Sequence, residues 1–223
     1  MRLPTWKNDF RTAAARDGMI LERSREPWLN QHGHLGLPES LVEERRVLGF
    51  IFAALGGLPK QLAMRRPGQA LLGDFRHRES GTLIEVDTWQ HFNHYRLIAL
   101  NMYPPKVHLG FDLNEYRSLC RQWAPRSDHY RPDSASIVFG DAGDALQRQR
   151  AYEDALRDLV TPAMGRPPVV RVPANDGDGE AAYKRVRDQL LELQTRQAAP
   201  PGAPAYGRPA SGGWAPDGHL AAN

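Results

Sequence analysis

Two carboxylic acids lie close together in an otherwise apolar stretch of the chain. Glu85 and Asp87 are two residues apart within TLIEVD, residues 82–87, which has the length and composition of a β-strand. Residues i and i+2 of a strand point to the same face, so the two carboxylates should lie side by side. Because like charges repel and buried acids are costly unless paired or metal-bound, the pattern predicts a positive group between them.

A third acid, Asp74, lies at the end of another predicted strand, residues 70–75. The polar turn at residues 79–81 predicts a tight hairpin that places Asp74 near the face of Glu85 and Asp87. Three carboxylates form a hard, oxygen-rich site suited to Mg²⁺ or Mn²⁺. Such an ion can polarise a phosphodiester and lower the pKa of an attacking water molecule, so the cluster indicates phosphodiester hydrolysis.

The same acids have a simpler interpretation. A Glu-x-Asp pair on a half-exposed strand is usually part of a solvated surface, and Gln90 and His91 would then be ordinary turn residues. The apolar Leu83, Ile84 and Val86 favour a buried strand instead. The residues alone leave both interpretations open.

The elements that must position these residues follow from hydrophobic periodicity and from turn and capping residues. Helices are predicted at residues 9–16, 37–55, 93–102, 112–123, 144–160 and 180–194, and further short strands at 61–63, 136–139 and 169–172. This order predicts an α/β fold with a small mixed central sheet flanked by helices. Residues 1–36 are predicted to be an N-terminal extension, 37–196 an α/β domain with an insertion at about 102–143, and 197–223 a disordered tail rich in proline, glycine and alanine.

Composition narrows the class of protein. The chain has 223 residues, of which 41% are hydrophobic, and Cys120 is its single cysteine. An intrachain disulfide and a cysteine-based zinc site are therefore excluded. The N-terminus does not read as a secretory signal, and no apolar run is long enough to cross a bilayer. We expect a soluble cytoplasmic protein with no membrane partner.

The positive charge comes mostly from arginine. The formal net charge is +3, the pI is about 9.2, and lysine occurs only at positions 7, 60, 106 and 184. The planar fork of arginine suits phosphate, so a mild basic excess fits a nucleic-acid partner. Arg148, Arg150 and Arg157 lie on one predicted helix and are candidates to contact phosphate, although a solvated charged face explains them equally well.

The stretch "GDF…TLIEVDTWQHF", from Gly73 to Phe92, resembles the core of the PD-(D/E)xK nuclease superfamily. It is similar in particular to the very-short-patch-repair-like endonuclease branch, in which Asp-Phe on one strand precedes an apolar strand ending in Glu-x-Asp. The later "ALRDLVTPAMGRPPVVRVP" is similar to the closing helix and strand of that branch. In element order the resemblance covers roughly residues 41–193, and it implies a restriction-endonuclease-like core with a helical insertion.

The resemblance also implies roles for single residues. Asp74 and Glu85 would be ligands of Mg²⁺ or Mn²⁺, with Asp87 as a further acid of the site. His91 would act near the scissile phosphate as a general base or by orienting water, and Gln90 would be its polar neighbour.

One more acid fits the pattern of the superfamily, and two positions differ from it. Glu43 or Glu44, on the first long helix, resembles the helix acid that many members add to the metal site. Asp87 stands where the superfamily most often has lysine, so a different base is needed. Thr88 stands where the branch usually has glycine.

These observations support three hypotheses. The leading one is a metal-dependent endonuclease of restriction or repair type that hydrolyses DNA. The second is a catalytically silent nuclease fold that binds nucleic acid or a partner protein. The third is a small α/β protein whose acids form a surface face. The recognition sequence, the choice of DNA or RNA, single or double strand, and the oligomeric state, monomer or homodimer, stay open.

Overall fold

The computed structural model describes residues 4–66, 68–130, 135–141 and 143–198. Apart from its first two residues, the predicted disordered tail at 197–223 lies outside the described residues. Within these ranges, no helix has both the length and the apolar character needed to cross a lipid bilayer.

A four-stranded mixed sheet forms the centre of the fold. Its strands lie side by side in chain order: β1 (Leu21–Glu22), β2 (Phe75–His77), β3 (Leu83–Asp87) and β4 (Val170–Pro173). The pairs β1–β2 and β2–β3 are antiparallel, whereas β3 and β4 are parallel. A parallel pair requires a long crossover, which helices supply here. The predicted α/β class with a small mixed sheet is confirmed.

Helices flank the sheet on both sides. They are α1 (Thr5–Arg16), α2 (Val42–Ala54), α3 (Pro59–Ala63), α4 (His94–Asn101), α5 (Leu113–Ser127), α6 (Ala145–Ala163) and α7 (Gly179–Ala198). The starts of α4 and α5 agree with the predicted ones because both have side-chain caps. Asn93 accepts a hydrogen bond from a backbone N–H in the first turn of α4, and Asp112 accepts two at the start of α5.

The two faces of β3 meet different layers. Ile84 and Val86 face α1 and α7 and belong to a wholly apolar cluster on that side. Within this cluster, Phe10 of α1 stacks on Phe75 of β2, with ring centroids 5.9 Å apart, and its edge meets Tyr183 of α7. Leu83 faces the other layer, and the acids at alternate positions of β3 face the same way. The polar site is therefore confined to one side of the sheet.

Several short elements differ from their predictions. Residues 61–63 belong to helix α3, which Pro59 starts, and are not a strand. Residues 136–139 form a turn closed by a single bridge between Ser136 and Gly140. The strand predicted at 70–75 begins only at Phe75. Short apolar runs are compatible with helix, strand or turn, and tertiary contacts decide among them.

The N-terminal segment contains more regular structure than its sequence predicts, because the helix predicted at 9–16 begins earlier, at Thr5, and a strand follows it. Within residues 1–36, α1 packs on α7, and β1 adds an edge strand to the sheet. Helix α2 begins at Val42, and Pro38 lies in the turn before it. The division into an extension, a domain and a tail stays a prediction, but α1 supplies core residues such as Phe10, which is fully buried.

Candidate active-site cleft

A cleft of about 830 Å³ brings together two of the hairpin acids and the Gln-His pair that follows them. Asp74, Glu85, Gln90 and His91 all line it. The loops that follow the parallel strands β3 and β4 form part of its wall, at the carboxyl ends of these strands. The edge where parallel strands end is a common location for ligand sites in α/β sheets.

Asp74 and Glu85 are fixed against each other by the hairpin. The backbone N–H of Asp74 donates to Glu85 Oε1 at 3.3 Å, and the Asp74 carboxylate accepts from the N–H of Val86 at 3.0 Å. Only 8% of Asp74 and 7% of Glu85 are exposed. Gly73 permits this approach, because a Cβ atom there would lie 2.5 Å from Glu85 Oε1. The two carboxylates therefore lie at the bottom of the cleft in a fixed arrangement.

Each of these acids has a cationic partner from a distant helix. The ammonium group of Lys7, on α1, forms an ion pair with Asp74. The guanidinium of Arg157, on α6, lies 3.5 Å from Glu85 and also donates to the carbonyl oxygen of Leu72. Protein side chains thus supply positive charge of the kind that the acid pattern predicts.

Asp87 shares the face of Glu85 but has different partners. Its Oδ2 atom lies 3.0 Å from a guanidinium nitrogen of Arg171 and accepts a hydrogen bond from the hydroxyl of Tyr116 at 3.3 Å. Its Oδ1 atom lies 3.0 Å from Nδ1 of His91, close enough for an ion pair but not aligned as a hydrogen bond. Asp87 is only 2% exposed, so its contact with the cleft runs through His91.

A network of buried ion pairs continues beneath the cleft. Arg171 of β4 also contacts Asp154 and Asp158 of α6, at 3.1 and 2.7 Å. Asp158 in turn accepts from Arg96 of α4 and from the hydroxyl of Tyr103. Buried charges are tolerated only when they are paired and hydrogen-bonded. The network therefore fixes α4 and α6 relative to β3, which carries Asp87, and β4, which carries Arg171.

The two acids of β3 have opposite pKa shifts. Burial raises the pKa of Glu85 to about 8; Arg157 opposes the shift and Asp74 adds to it. Burial alone would also raise the pKa of Asp87, but Arg171 and His91 hold it well below its usual range. At neutral pH Asp87 is therefore ionised, whereas Glu85 retains a proton that a bound cation would displace.

Two sets of side chains could hold a metal ion. Asp74 and Glu85 offer carboxylate oxygens in an accessible cleft, a donor type that fits Mg²⁺ or Mn²⁺. Ligand atoms of Asp87, His91 and Asp154 also lie within 4.8 Å of one another. Because Arg171 already pairs with both aspartates of this second set, a cation there would compete with a buried guanidinium. In the first set the ion would likewise compete with Lys7 and Arg157. Both acids of the first set line the cleft, whereas Asp87 of the second set does not.

The structure places the predicted helix acids away from the cleft. Glu43 is exposed on α2 and pairs with Arg46 at 2.6 Å. Glu44 is half-buried on the same helix. Neither residue is among those that line the cleft with Asp74 and Glu85. Of the predicted metal ligands, only the acids of the hairpin are brought together.

The three arginines predicted to contact phosphate lie in different environments. Arg150 lines the cleft and is half-buried. Arg157 lines it as well, but it is only 6% exposed and is engaged with Glu85. Arg148 lies elsewhere, paired with Asp144 at 2.8 Å. Of the three, Arg150 has the position best suited to a bound phosphate.

Sequence reasoning missed three residues of the site: Lys7, Asp154 and Arg171. Two sequence features could have indicated the network. One is an arginine between the valines of a buried strand, and the other is the pair of acids four residues apart on α6, Asp154 and Asp158. Lys7 gave no signal, because 67 positions separate it from Asp74 and no motif surrounds it.

The fold and site define a mixed α/β protein with a charged cleft at one end of its sheet. A family described as "Family of unknown function (DUF7255)" matches residues 50–192, and the chain belongs to it. The match includes the hairpin acids, His91, α6 and β4, whereas Lys7 and the rest of α1 lie outside the matched range. No curated protein and no solved structure matches the chain.

Proposed function

We propose that this protein is a metal-dependent nuclease that hydrolyses phosphodiester bonds of DNA in the cleft. The observation that carries the proposal is the convergence of Asp74, Glu85 and His91 on one cleft. The helix and strand that follow the hairpin, α6 and β4, are also similar in order to the restriction-endonuclease-like core that the sequence resemblance implies. Together these features support a nuclease of the PD-(D/E)xK type.

Asp74 and Glu85 would hold the metal ion. When bound, Mg²⁺ or Mn²⁺ would polarise the phosphodiester and lower the pKa of a water molecule. The contribution of the protein is to place two carboxylates in fixed positions through backbone hydrogen bonds. Because Glu85 is protonated in the metal-free protein at neutral pH, its proton leaves when the cation binds.

Lys7 supplies the ammonium group that position 87 lacks. It lies in the cleft against Asp74, and its side chain is 14% exposed. The ring of Phe10, fully buried one turn further along α1, fixes the helix and therefore the origin of the lysine side chain. In this position the ammonium group can neutralise an oxygen of the phosphate as negative charge develops there.

His91 would act as the general base, and Asp87 would hold it in place. Asp87 is ionised and lies at His91 Nδ1, while Arg171 and Tyr116 fix its second oxygen. A carboxylate at one ring nitrogen can fix the orientation of the imidazole. These contacts favour an orienting role for Asp87 over the role of a metal ligand.

The test is cleavage of plasmid and linear DNA with Mg²⁺ or Mn²⁺. Asp74→Asn and Glu85→Gln should abolish cleavage, and His91→Ala should slow it by about 10²- to 10⁴-fold. Lys7→Met should also slow cleavage but keep the stabilisation by metal. Glu43→Gln, on the exposed face of α2, is the matched control and should cleave like the wild type. Cleavage by Asp74→Asn at the wild-type rate would show that the activity does not depend on this site and would contradict the proposal.

One observation favours the catalytically silent alternative. Arg171 already balances the charge of Asp87, and Glu85 keeps a proton beside Arg157, so the fold accommodates both acids without a metal ion. A silent binder would show salt-sensitive DNA binding. It would show neither stabilisation by metal nor cleavage, whereas the nuclease should show both.

A further inference from the structure

The acids of the cleft are recessed. Asp74 and Glu85 are each less than one-tenth exposed, so a scissile phosphate must descend into the cleft to reach them. Its volume of about 830 Å³ is in the range of small-molecule pockets. A rigid duplex keeps its backbone on a wide cylinder, whereas a single strand can bend into a narrow site. Enzymes that must reach a buried part of a duplex act on single-stranded or extruded nucleotides for the same reason.

An aromatic side chain lines the same cleft beside the acids. Trp89 lies two residues before His91 and is partly exposed. The guanidinium of Arg126 lies over its ring, 4.2 Å from the centroid, and Tyr130 meets the ring edge-on at 5.6 Å. These contacts hold the indole in one orientation. A fixed indole beside arginine side chains is a platform on which an unpaired base can stack.

Three arginines line the cleft from separate segments of the chain. Arg23 follows β1, Arg126 lies near the end of α5, and Arg150 lies on α6. Within the described ranges, none of the three forms an ion pair with a carboxylate. Arg23 and Arg150 are therefore available for the phosphates on either side of the scissile one, and Arg126, although it lies over Trp89, has no carboxylate partner among the described residues that would compete with a phosphate.

We infer that the cleft takes a single-stranded segment of nucleic acid, with one base stacked on Trp89 and the backbone held by Arg23, Arg126 and Arg150. The inference rests on the proposed nuclease function and specifies its substrate. It assigns Trp89, which otherwise has no role in the chemistry, to substrate binding.

The test measures binding separately from cleavage. A fluorescein-labelled DNA oligonucleotide of about a dozen nucleotides, alone or annealed to its complement, is titrated with the full-length protein in EDTA, and anisotropy is recorded. We expect the single strand to bind at least about tenfold more tightly than the duplex at the same salt concentration. Trp89→Leu should weaken single-strand binding by about 5- to 150-fold, the worth of one stacked base, whereas Trp89→Phe should retain most of it.

A charge-matched pair completes the design. Arg126→Gln should weaken binding of the single strand, and Arg121→Gln, an exposed residue of the same helix outside the cleft, should not. Duplex binding as tight as single-strand binding, or equal affinities of Trp89→Leu and Trp89→Phe, overturns the inference. Cleavage that prefers duplex DNA overturns the inference but leaves the nuclease function intact. Single-strand binding without metal-dependent cleavage overturns the nuclease function but leaves the inferred binding mode intact.

Discussion

The raised pKa of Glu85 makes a direct prediction about stability. In the metal-free folded protein this carboxyl has a pKa of about 8, compared with 4.5 in an unperturbed chain. Between these pH values the folded state binds a proton that the unfolded state has released. The free energy of unfolding must therefore fall as pH rises through this window. Glu85→Gln keeps the shape and the hydrogen bond from Asp74 but cannot ionise, so its stability should lack this decline.

The size of the effect follows from the shift. A rise from 4.5 to about 8 corresponds to at most about 5 kcal/mol of differential stability. Relaxation of the cleft and water penetration reduce it, so we expect the difference between variant and wild type to change by about 2–5 kcal/mol across the window. Replacing Glu85 also changes the contact with Arg157, which shifts the stability of the variant by an amount that does not depend on pH. The test is therefore the slope of the stability difference against pH. Asp87 has a lowered pKa, and its contribution is lost only in acid, below the window.

Urea denaturation of both proteins in EDTA, at several pH values between about 5 and 9, measures this difference. The stability of Glu85→Gln relative to wild type should rise with pH up to about 8 and then level off. In wild type, the stabilisation by Mg²⁺ should also grow with pH over the same range, because the cation displaces the proton. Parallel stability curves for the two proteins would falsify the assignment of Glu85 as a buried, protonated acid.

Three further predictions concern the metal, the buried network and the N-terminal helix. Mn²⁺ at about 100 times its dissociation constant should raise the unfolding free energy of wild type and of Glu43→Gln by about 2.7 kcal/mol. It should leave that of Asp74→Asn unchanged, as measured by thermal shift. An equal shift in all three proteins would show that the metal does not bind at Asp74. Arg171→Met should cost about 3–5 kcal/mol in denaturant unfolding, because it leaves buried carboxylates unpaired, and a neutral effect would show that the network relaxes. Phe10→Ala should cost about 3–5 kcal/mol in the same assay, and a loss under 1 kcal/mol would mean that α1 is not part of the folded core.

The parts of the fold that sequence reasoning predicted are those with local signals. The start of α5 followed from the Asp112 cap, and the position of α4 followed from its apolar spacing and from the prolines after it; the Asn93 cap was found only in the structure. The two-residue period of β3 predicted that Glu85 and Asp87 share a face, which the structure shows. Short segments such as 61–63 have no comparable signal, and their conformation depends on packing against distant residues.

The partners of the acids could not be predicted in the same way. Electrostatics required positive charge near Glu85 and Asp87, but a metal ion and a guanidinium meet that requirement equally well. Arg157 and Arg171 are 72 and 84 positions away from the acids that they pair with, and only the tertiary fold brings them together. The resemblance implied that Glu43 or Glu44 of α2 joins the site. In the structure Lys7 of α1 reaches the cleft instead.

Because α1 packs on α7, the wall of the cleft that α1 forms cannot be completed until the C-terminal part of the domain has been synthesised. Asp17, just after α1, is held by Arg187 of α7, 170 positions further along the chain. A contact of this sequence separation forms only after most of the polypeptide has been made. During synthesis α1 is made before β2 and α7, and it packs on both of them. The packing that holds α1, and with it the Lys7 side chain beside Asp74, is therefore complete only when α7 has been made.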